Sequence, residues 1–270
     1  MKKRHKANAP IGVFDSGLGG LTVVKAIRKV LPLEDIVYFG DTARVPYGTK
    51  SPQSIVKFSQ QNAKVLMAEG VKAIVIACNS SSSYALELLQ KEFPLPIIGV
   101  IQPGVNKALK VAKTGKIGVI ATPATIKSQS YQNALIHANP SCRIFAQACP
   151  LFVPLVEEGW FTHAVTRQVA QEYLKKMKAS RIDALILGCT HYPLLKGILQ
   201  KVMGRSVSLI DSAHEVACEL QELLRVKDLL CSKGKKKNEC RFLVSDEPDH
   251  FQKLAKRFLG EDIPTVKKLF

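Results

Sequence analysis

Two apolar runs, each closing on a cysteine, constrain this chain more than any other feature. The first is Val71-Lys72-Ala73-Ile74-Val75-Ile76-Ala77-Cys78-Asn79-Ser80, the second Ile182-Asp183-Ala184-Leu185-Ile186-Leu187-Gly188-Cys189-Thr190-His191. Each has the β-branched composition of a strand buried on both faces. A small residue, a thiol, a hydrogen-bonding pair and an apparent helix follow. Such strands belong to parallel sheets covered by helices, and ligands of open α/β sheets sit at the carboxyl ends of the strands. Two thiols in matching positions imply two opposed acid/base groups around one substrate.

The same alternation runs through the whole chain. Strands are predicted at Ile11–Asp15, Ile36–Gly40, Ala73–Ala77, Ile97–Val100, Ile117–Ala121, Arg143–Ala148, Ala184–Gly188, Val207–Ile210 and Arg241–Val244. The clearest helical periodicity covers Leu21–Val30, Pro52–Glu69, Ala85–Glu92 and Ala213–Leu230, with Ser51-Pro52 as a cap followed by a first-turn proline. Ile11–Gly17 resembles Ile117–Pro123 at nearly the offset that separates the two cysteine segments, which supports an internal repeat. The expected fold is therefore α/β, with two pseudo-symmetric domains, each a mostly parallel sheet flanked by helices, and an active site in the interdomain cleft. Residues 7–101 and 212–270 are assigned to a discontinuous first domain and 102–211 to the second, with crossings at Gln102-Pro103-Gly104 and Asp211-Ser212. Residues 1–6 read as a basic extension expected to be disordered, and Lys233–Asn238 as an exposed loop.

With 270 residues, 46% of them hydrophobic, the chain can bury one large or two modest cores. Its net charge of +17 is strongly basic. A solvated surface with basic termini explains that first and attraction of an anionic small substrate second. Nucleic-acid binding ranks lower, because no RNP, helix-turn-helix or zinc-finger pattern accompanies the charge. The seven cysteines are odd in number and show no paired spacing, which argues against a disulfide framework and for a reducing, cytoplasmic setting. Ile11–Phe14 is too short for the apolar core of a signal peptide, and no run reaches the roughly 20 apolar residues of a membrane helix.

Asp15-Ser16-Gly17-Leu18-Gly19-Gly20 follows the first strand and opens a helix, but its spacing is neither G-x-G-x-x-G nor a P-loop. Its carboxylate and backbone N–H groups suit an amino-acid zwitterion, and a tight strand–helix turn capped by Asp or Ser fits the segment equally well. A lone buried cysteine is ordinarily a small hydrophobe. Cys78 and Cys189 differ: each is read at a helix start, where the dipole favours thiolate, and each precedes polar side chains (Asn79-Ser80, Thr190-His191) able to bind a carboxylate. Cys189 and His191 lack the second ligand pair that a tetrahedral metal site needs, so no metal is expected. A cysteine hydrolase would need one nucleophile and no symmetric partner. The other five cysteines read as structural. Pro46-Tyr47-Gly48 is a turn or a loop presenting amides and a phenol, and Cys149–Gly159 by itself a packed, proline-punctuated loop.

Taken together, Phe14–Leu21, Gly40-Asp41-Thr42 with Pro46-Tyr47-Gly48, Ala77–Ser80, Cys149–Glu157 and Gly188–Leu195 resemble the motifs of bacterial glutamate racemases, in the family's order and across nearly the whole chain. Aspartate and hydantoin racemases share the twin thiols but usually lack the Tyr-Gly loop and the Gly-Cys-Thr-His-Tyr-Pro run. Ser80 stands where the family usually has Thr; hydroxyl and amide are kept and a methyl is lost.

The resemblance implies cofactor-independent interconversion of L- and D-glutamate, with Cys78 deprotonating the D-isomer and Cys189 the L-isomer. Asp15, Ser16, Tyr47, Gly48, Asn79, Ser80, Thr190 and His191 are then the substrate-binding set, and Glu157 orients His191. It further implies D-glutamate supply for peptidoglycan, a cytoplasmic homodimer, and no cofactor, membrane or required nucleic acid, with a gyrase interaction as a secondary activity. Rival readings are a racemase of aspartate or another amino acid, a cysteine-nucleophile hydrolase, and a basic nucleic-acid-binding module.

Overall fold

A computed structural model describes residues 7–231 and 238–269, so the expectations for residues 1–6 and for 233–237 of the basic loop lie outside the described residues. The chain divides into two compact units, one from the described residues of Met1–Val100 and Ala213–Phe270, the other Ile101–Ser212.

The first unit runs β1 (Ile11–Asp15), α1 (Leu21–Val30), β2 (Ile36–Gly40), α2 (Pro52–Ala68), β3 (Ala73–Ile76), α3 (Asn79–Glu92) and β4 (Ile97–Ile98). The second holds α4 (Ile101–Val111), β5 (Lys116–Ala121), α5 (Pro123–Lys127), α6 (Ser130–Ala138), β6 (Arg143–Ala148), α7 (Phe152–Glu157), α8 (Ala164–Ala179), β7 (Ala184–Gly188), α9 (Lys196–Met203) and β8 (Ser208–Ile210). The chain returns to the first unit with α10 (Ala213–Val226), β9 (Cys240–Val244), α11 (Pro248–Leu259) and β10 (Val266–Lys268). Among the described residues, no helix is long and apolar enough to cross a membrane.

Each unit is built on a parallel sheet flanked by helices. The first has strand order β10-β9-β2-β1-β3-β4 and the second β6-β5-β7-β8. The four strands β2-β1-β3-β4 repeat as β6-β5-β7-β8, so the repeat visible in the sequence is one of topology. Strands β1, β2, β3 and β7 are buried at every residue, as strands covered on both faces must be. Phe14, Phe39, Ile74, Ile76 and Leu89 centre one core; Val119, Tyr131, Leu135 and Ile186 centre the other.

The order also fixes where ligands can enter. Strand order reverses between β1 and β3 and again between β5 and β7, and the carboxyl ends of the strands flanking such a switch point form the crevice of an open α/β sheet. Asp15 ends β1, and Cys78 follows β3, whose register with β1 is carried on by an Ala77 N–H bond to the Phe14 carbonyl. In the second sheet Ala121 pairs with Gly188, immediately before Cys189. Each thiol thus occupies the equivalent switch point of its own sheet.

Candidate active site

In the first unit the strand ends gather Asp15, Ser16, Cys78, Asn79 and Ser80, all buried. Asp15 Oδ2 accepts the Gly17 N–H at 3.0 Å, which turns the chain back from β1 toward α1. Gly20 heads α1, and only a hydrogen fits there: a Cβ would stand 2.6 Å from Asp15 Cβ, 2.9 Å from Tyr38 Oη and 3.0 Å from Ala77 Cβ. Cys78 is the N-cap of α3 in extended conformation; its carbonyl accepts the Ser82 N–H at 2.8 Å, and its thiol makes no capping bond. The helix starts at Asn79, earlier than the periodicity from Ala85 indicates, because Asn79–Ser83 carry no apolar stripe. Ser82 ties that helix down, donating to the Ile76 carbonyl and accepting the Val100 N–H. Ser81 Oγ is buried and has no hydrogen-bond partner among the described residues.

Tyr47 and Gly48 lie in a buried turn after β2. The Tyr47 hydroxyl donates to Asp41 and accepts the Asn62 amide at 3.0 Å. Asp41 is fully buried and also receives the Arg44 guanidinium at 2.7 Å and the Ser245 hydroxyl at 2.9 Å. Burial, then the Asp41 charge, pushes the Tyr47 phenol up, so it stays a proton donor. The C-terminal segment completes this brace, since Ser245 Oγ accepts the Ala43 N–H.

Cys189 is set differently. A helix starting at a cysteine bonds its carbonyl to the N–H four residues on, as Ser82 does for Cys78. Four residues after Cys189 stands Pro193, which has no N–H. The Cys189 carbonyl instead accepts the Tyr192 N–H at 3.1 Å, and a short 3-10 turn, Tyr192–Leu195, precedes α9. The expected pair of matching helix starts therefore holds for Cys78 and is corrected for Cys189. What Cys189 has is His191: Nδ1 lies 3.9 Å from the sulfur and Nε2 3.0 Å from Glu157 Oε1. Glu157 ends α7 and keeps a third of its side chain exposed, whereas His191 and Thr190 are buried. Burial alone would drive the imidazole proton off, but hydrogen bonding to Cys189 and Glu157 and their charges outweigh it and raise His191 to about 10. The ring thus lies between the Cys189 sulfur and the Glu157 carboxylate, both of which favour its protonated form.

Within each unit, then, the expected site residues lie beyond the carboxyl ends of neighbouring strands, with Tyr47 and Gly48 in the turn that follows β2. The sequence did not reveal Tyr38 and Tyr131. Tyr38, in β2, donates to the Gly17 carbonyl at 2.7 Å. Burial, then the charges of Asp15 and Cys78, lift its phenol well above the ordinary range, against the Gly20 amide. Tyr131, in α6, is lifted by burial, then by Cys189 and Asp211. Each reads as an ordinary core aromatic in its run, so neither carries a signal of its own. Among the described residues, no three His, Cys, Asp or Glu side chains gather as metal ligands would.

The chain is similar to a family of racemases. A family model described as Asp/Glu/hydantoin racemase matches residues 21–220. The glutamate racemase of Syntrophus aciditrophicus (strain SB) is 48% identical, covering 100% of this chain and 99% of that protein. Two crystal structures superpose over almost the full length. The glutamate racemase isoform RacE1 of Bacillus anthracis has a TM-score of 0.93 at 39% identity, covering 97% of each chain. The glutamate racemase of Francisella tularensis subsp. tularensis SCHU S4, in complex with D-glutamate, has 0.91 at 43%, covering 98% of each.

Proposed function

The chain belongs to the Asp/Glu/hydantoin racemase family, and on that premise we propose that it interconverts L- and D-glutamate by passing a proton between Cys78 and Cys189. The observation that carries this reading is the thiol at the switch point of each sheet, each beside hydrogen-bonding side chains.

Inverting an α-carbon needs a base on one face and an acid on the other, since one group acting alone returns the proton to the face it left. Thiols suit the task because their ordinary pKa of about 8.5 lies near working pH. The reading requires both sulfurs to reach one α-carbon from opposite faces, Cys78 taking the proton from D-glutamate and Cys189 from L-glutamate. The two thiols are equipped unequally. Cys78 heads a fourteen-residue helix whose dipole favours negative charge at its start. Cys189 has the His191 ring beside it, and Glu157 holds that ring in place.

The remaining assignments follow from charge and hydrogen-bonding type. Asp15 takes the substrate ammonium. Ser16, Asn79, Ser80, Thr190 and His191, with the Tyr47–Gly48 turn, take the two carboxylates. Because the Tyr47 phenol is already engaged by Asp41 and Asn62, that turn contributes its backbone amides first. The carbanion is held by these fixed donors in a dry site, and the scheme calls for no cofactor. The product, D-glutamate, is a peptidoglycan precursor, and we assign the enzyme to the cytoplasm as a homodimer on the same family grounds.

Circular dichroism tests the reading directly. The purified protein should bring D-glutamate or L-glutamate to zero optical rotation without added cofactor. Turnover of aspartate with inert glutamate would overturn the substrate assignment.

A further inference from the structure

We propose that Tyr38 and Tyr131 are positioning residues, one behind each thiol, that set the two half-sites by placing a buried phenol against the backbone from which each sulfur and its neighbours project. The inference rests on the two-thiol reading above and names residues that reading does not use.

Tyr38 makes the case most fully. It is completely buried in β2, against Phe242 and Phe251, and its hydroxyl reaches the turn that carries Asp15. That hydroxyl donates to the Gly17 carbonyl at 2.7 Å, while Gly17 N–H is held by Asp15 Oδ2. It also occupies one wall of the gap at Gly20 whose other walls are Asp15 Cβ and Ala77 Cβ, the residue before Cys78. One phenol thus bounds the carboxylate, the turn and the strand end bearing the thiol. Gly40, also without a side chain, lets the Gly17 carbonyl approach to where a Cβ would stand 2.8 Å from it. The Tyr38 hydroxyl stays protonated beside Asp15 and Cys78, so it adds no charge of its own to that buried space.

Tyr131 repeats the placement in the second unit from an unrelated element. Its ring edge stands 3.0 Å from where a Gly188 Cβ would be, one residue before Cys189. It is fully buried, and Cys189 and Asp211 are its electrostatic neighbours, as Cys78 and Asp15 are those of Tyr38. The strand supplying Tyr38 and the helix supplying Tyr131 have no topological correspondence, so the shared arrangement of phenol, carboxylate and thiol is not a by-product of the repeated sheet.

The test is Tyr38→Phe and Tyr131→Phe, each assayed with α-deuterated D- and L-glutamate. Both variants should fold and lose kcat of order tenfold, with KM changed less. The direction of the isotope effect is what a purely structural role would not move. Slowing the Cys78 step should raise the substrate isotope effect for D-glutamate and lower it for L-glutamate in Tyr38→Phe, and Tyr131→Phe should do the reverse. Wild-type kcat, or equal losses with an unchanged ratio of the two isotope effects, would overturn the proposal and leave the two-thiol reading standing. Undiminished turnover in Cys78→Ser would overturn both. Should Tyr38→Phe fail to fold, 3-fluorotyrosine at position 38 keeps the ring and the hydroxyl; a shifted ratio supports the proposal and an unchanged one overturns it.

Discussion

The imidazole of His191 bridges Cys189 and Glu157, with Nδ1 3.9 Å from the sulfur and Nε2 3.0 Å from the carboxylate oxygen. The Nε2 contact fits an N–H donated to the carboxylate, while Nδ1 faces the sulfur, so one ring links the two groups. In the first unit the thiol stands instead at a helix start, with the Asp15 turn at the end of the adjoining strand. A repeated sheet thus carries two thiols with different surroundings.

That bridge sets a pH window. The folded-state value of His191, about 10, lies above the ordinary imidazole value of about 6.5. A raised basic group stabilises the fold fully below the lower value and ceases to do so as pH rises through the higher one. Glu157→Gln removes one of the contacts that raise it. The variant should therefore be less stable than the parent near pH 6.5, and the gap should close as pH approaches 10. Thermal unfolding across that range, with the ring titration followed by NMR, checks both ends; a constant gap would contradict the assignment.

Cys78→Ser and Cys189→Ser should each cut racemisation by about 10²- to 10⁴-fold, the usual worth of a positioned acid or base. Because D- and L-glutamate are equal in free energy, any variant must lower kcat/KM by the same factor in both directions. Direction therefore shows in isotope content and not in that ratio. In deuterium oxide the parent should place deuterium at the product α-carbon. Product retaining its original hydrogen throughout would point to a single shuttling base.

Much of this was open to reading before any coordinates. The apolar runs marked β1, β2 and β7 to the residue, because a strand covered on both faces must be apolar throughout. The last strand, Val266–Lys268, escaped because only Val266 is buried in three edge residues, too few to show a period. Tyr38 escaped for the opposite reason: in Ile-Val-Tyr-Phe-Gly every position is buried, and composition does not separate a phenol aimed at a turn from its neighbour Phe39. Glu157 drew notice only through family resemblance, since its partner His191 lies 34 positions on. The turn at Cys189 was legible in Pro193, whose missing N–H forbids the helix that its counterpart starts.

Gly20→Ala tests how tightly the Asp15 turn is built. The added methyl would meet Asp15 Cβ at 2.6 Å and Tyr38 Oη at 2.9 Å, both held by their own contacts, so the backbone must give way. Overpacking of this kind costs about 1–3 kcal/mol. The same displacement should raise KM, because Asp15 is the proposed ammonium partner. Unfolding and steady-state kinetics on one preparation would show both losses; an unaltered KM would separate the turn from substrate binding.

Away from the strand ends, Lys72 and Glu34 form an ion pair with both side chains almost wholly inside the protein. Lys72 also donates to the Ala7 carbonyl, and Glu34 Oε1 accepts the Cys231 N–H at 2.8 Å, so four separated segments meet there. Removing one charge leaves its partner buried and unpaired, which costs about 3–5 kcal/mol, whereas removing both leaves only the lost hydrogen bonds. Lys72→Met should therefore destabilise strongly, and adding Glu34→Gln should recover part of the loss, since the amide oxygen can still accept from Cys231. Chemical denaturation of the two single variants and the double variant gives the coupling directly. If the double variant is no more stable than Lys72→Met, the penalty comes from lost packing of the lysine stem and not from the stranded carboxylate.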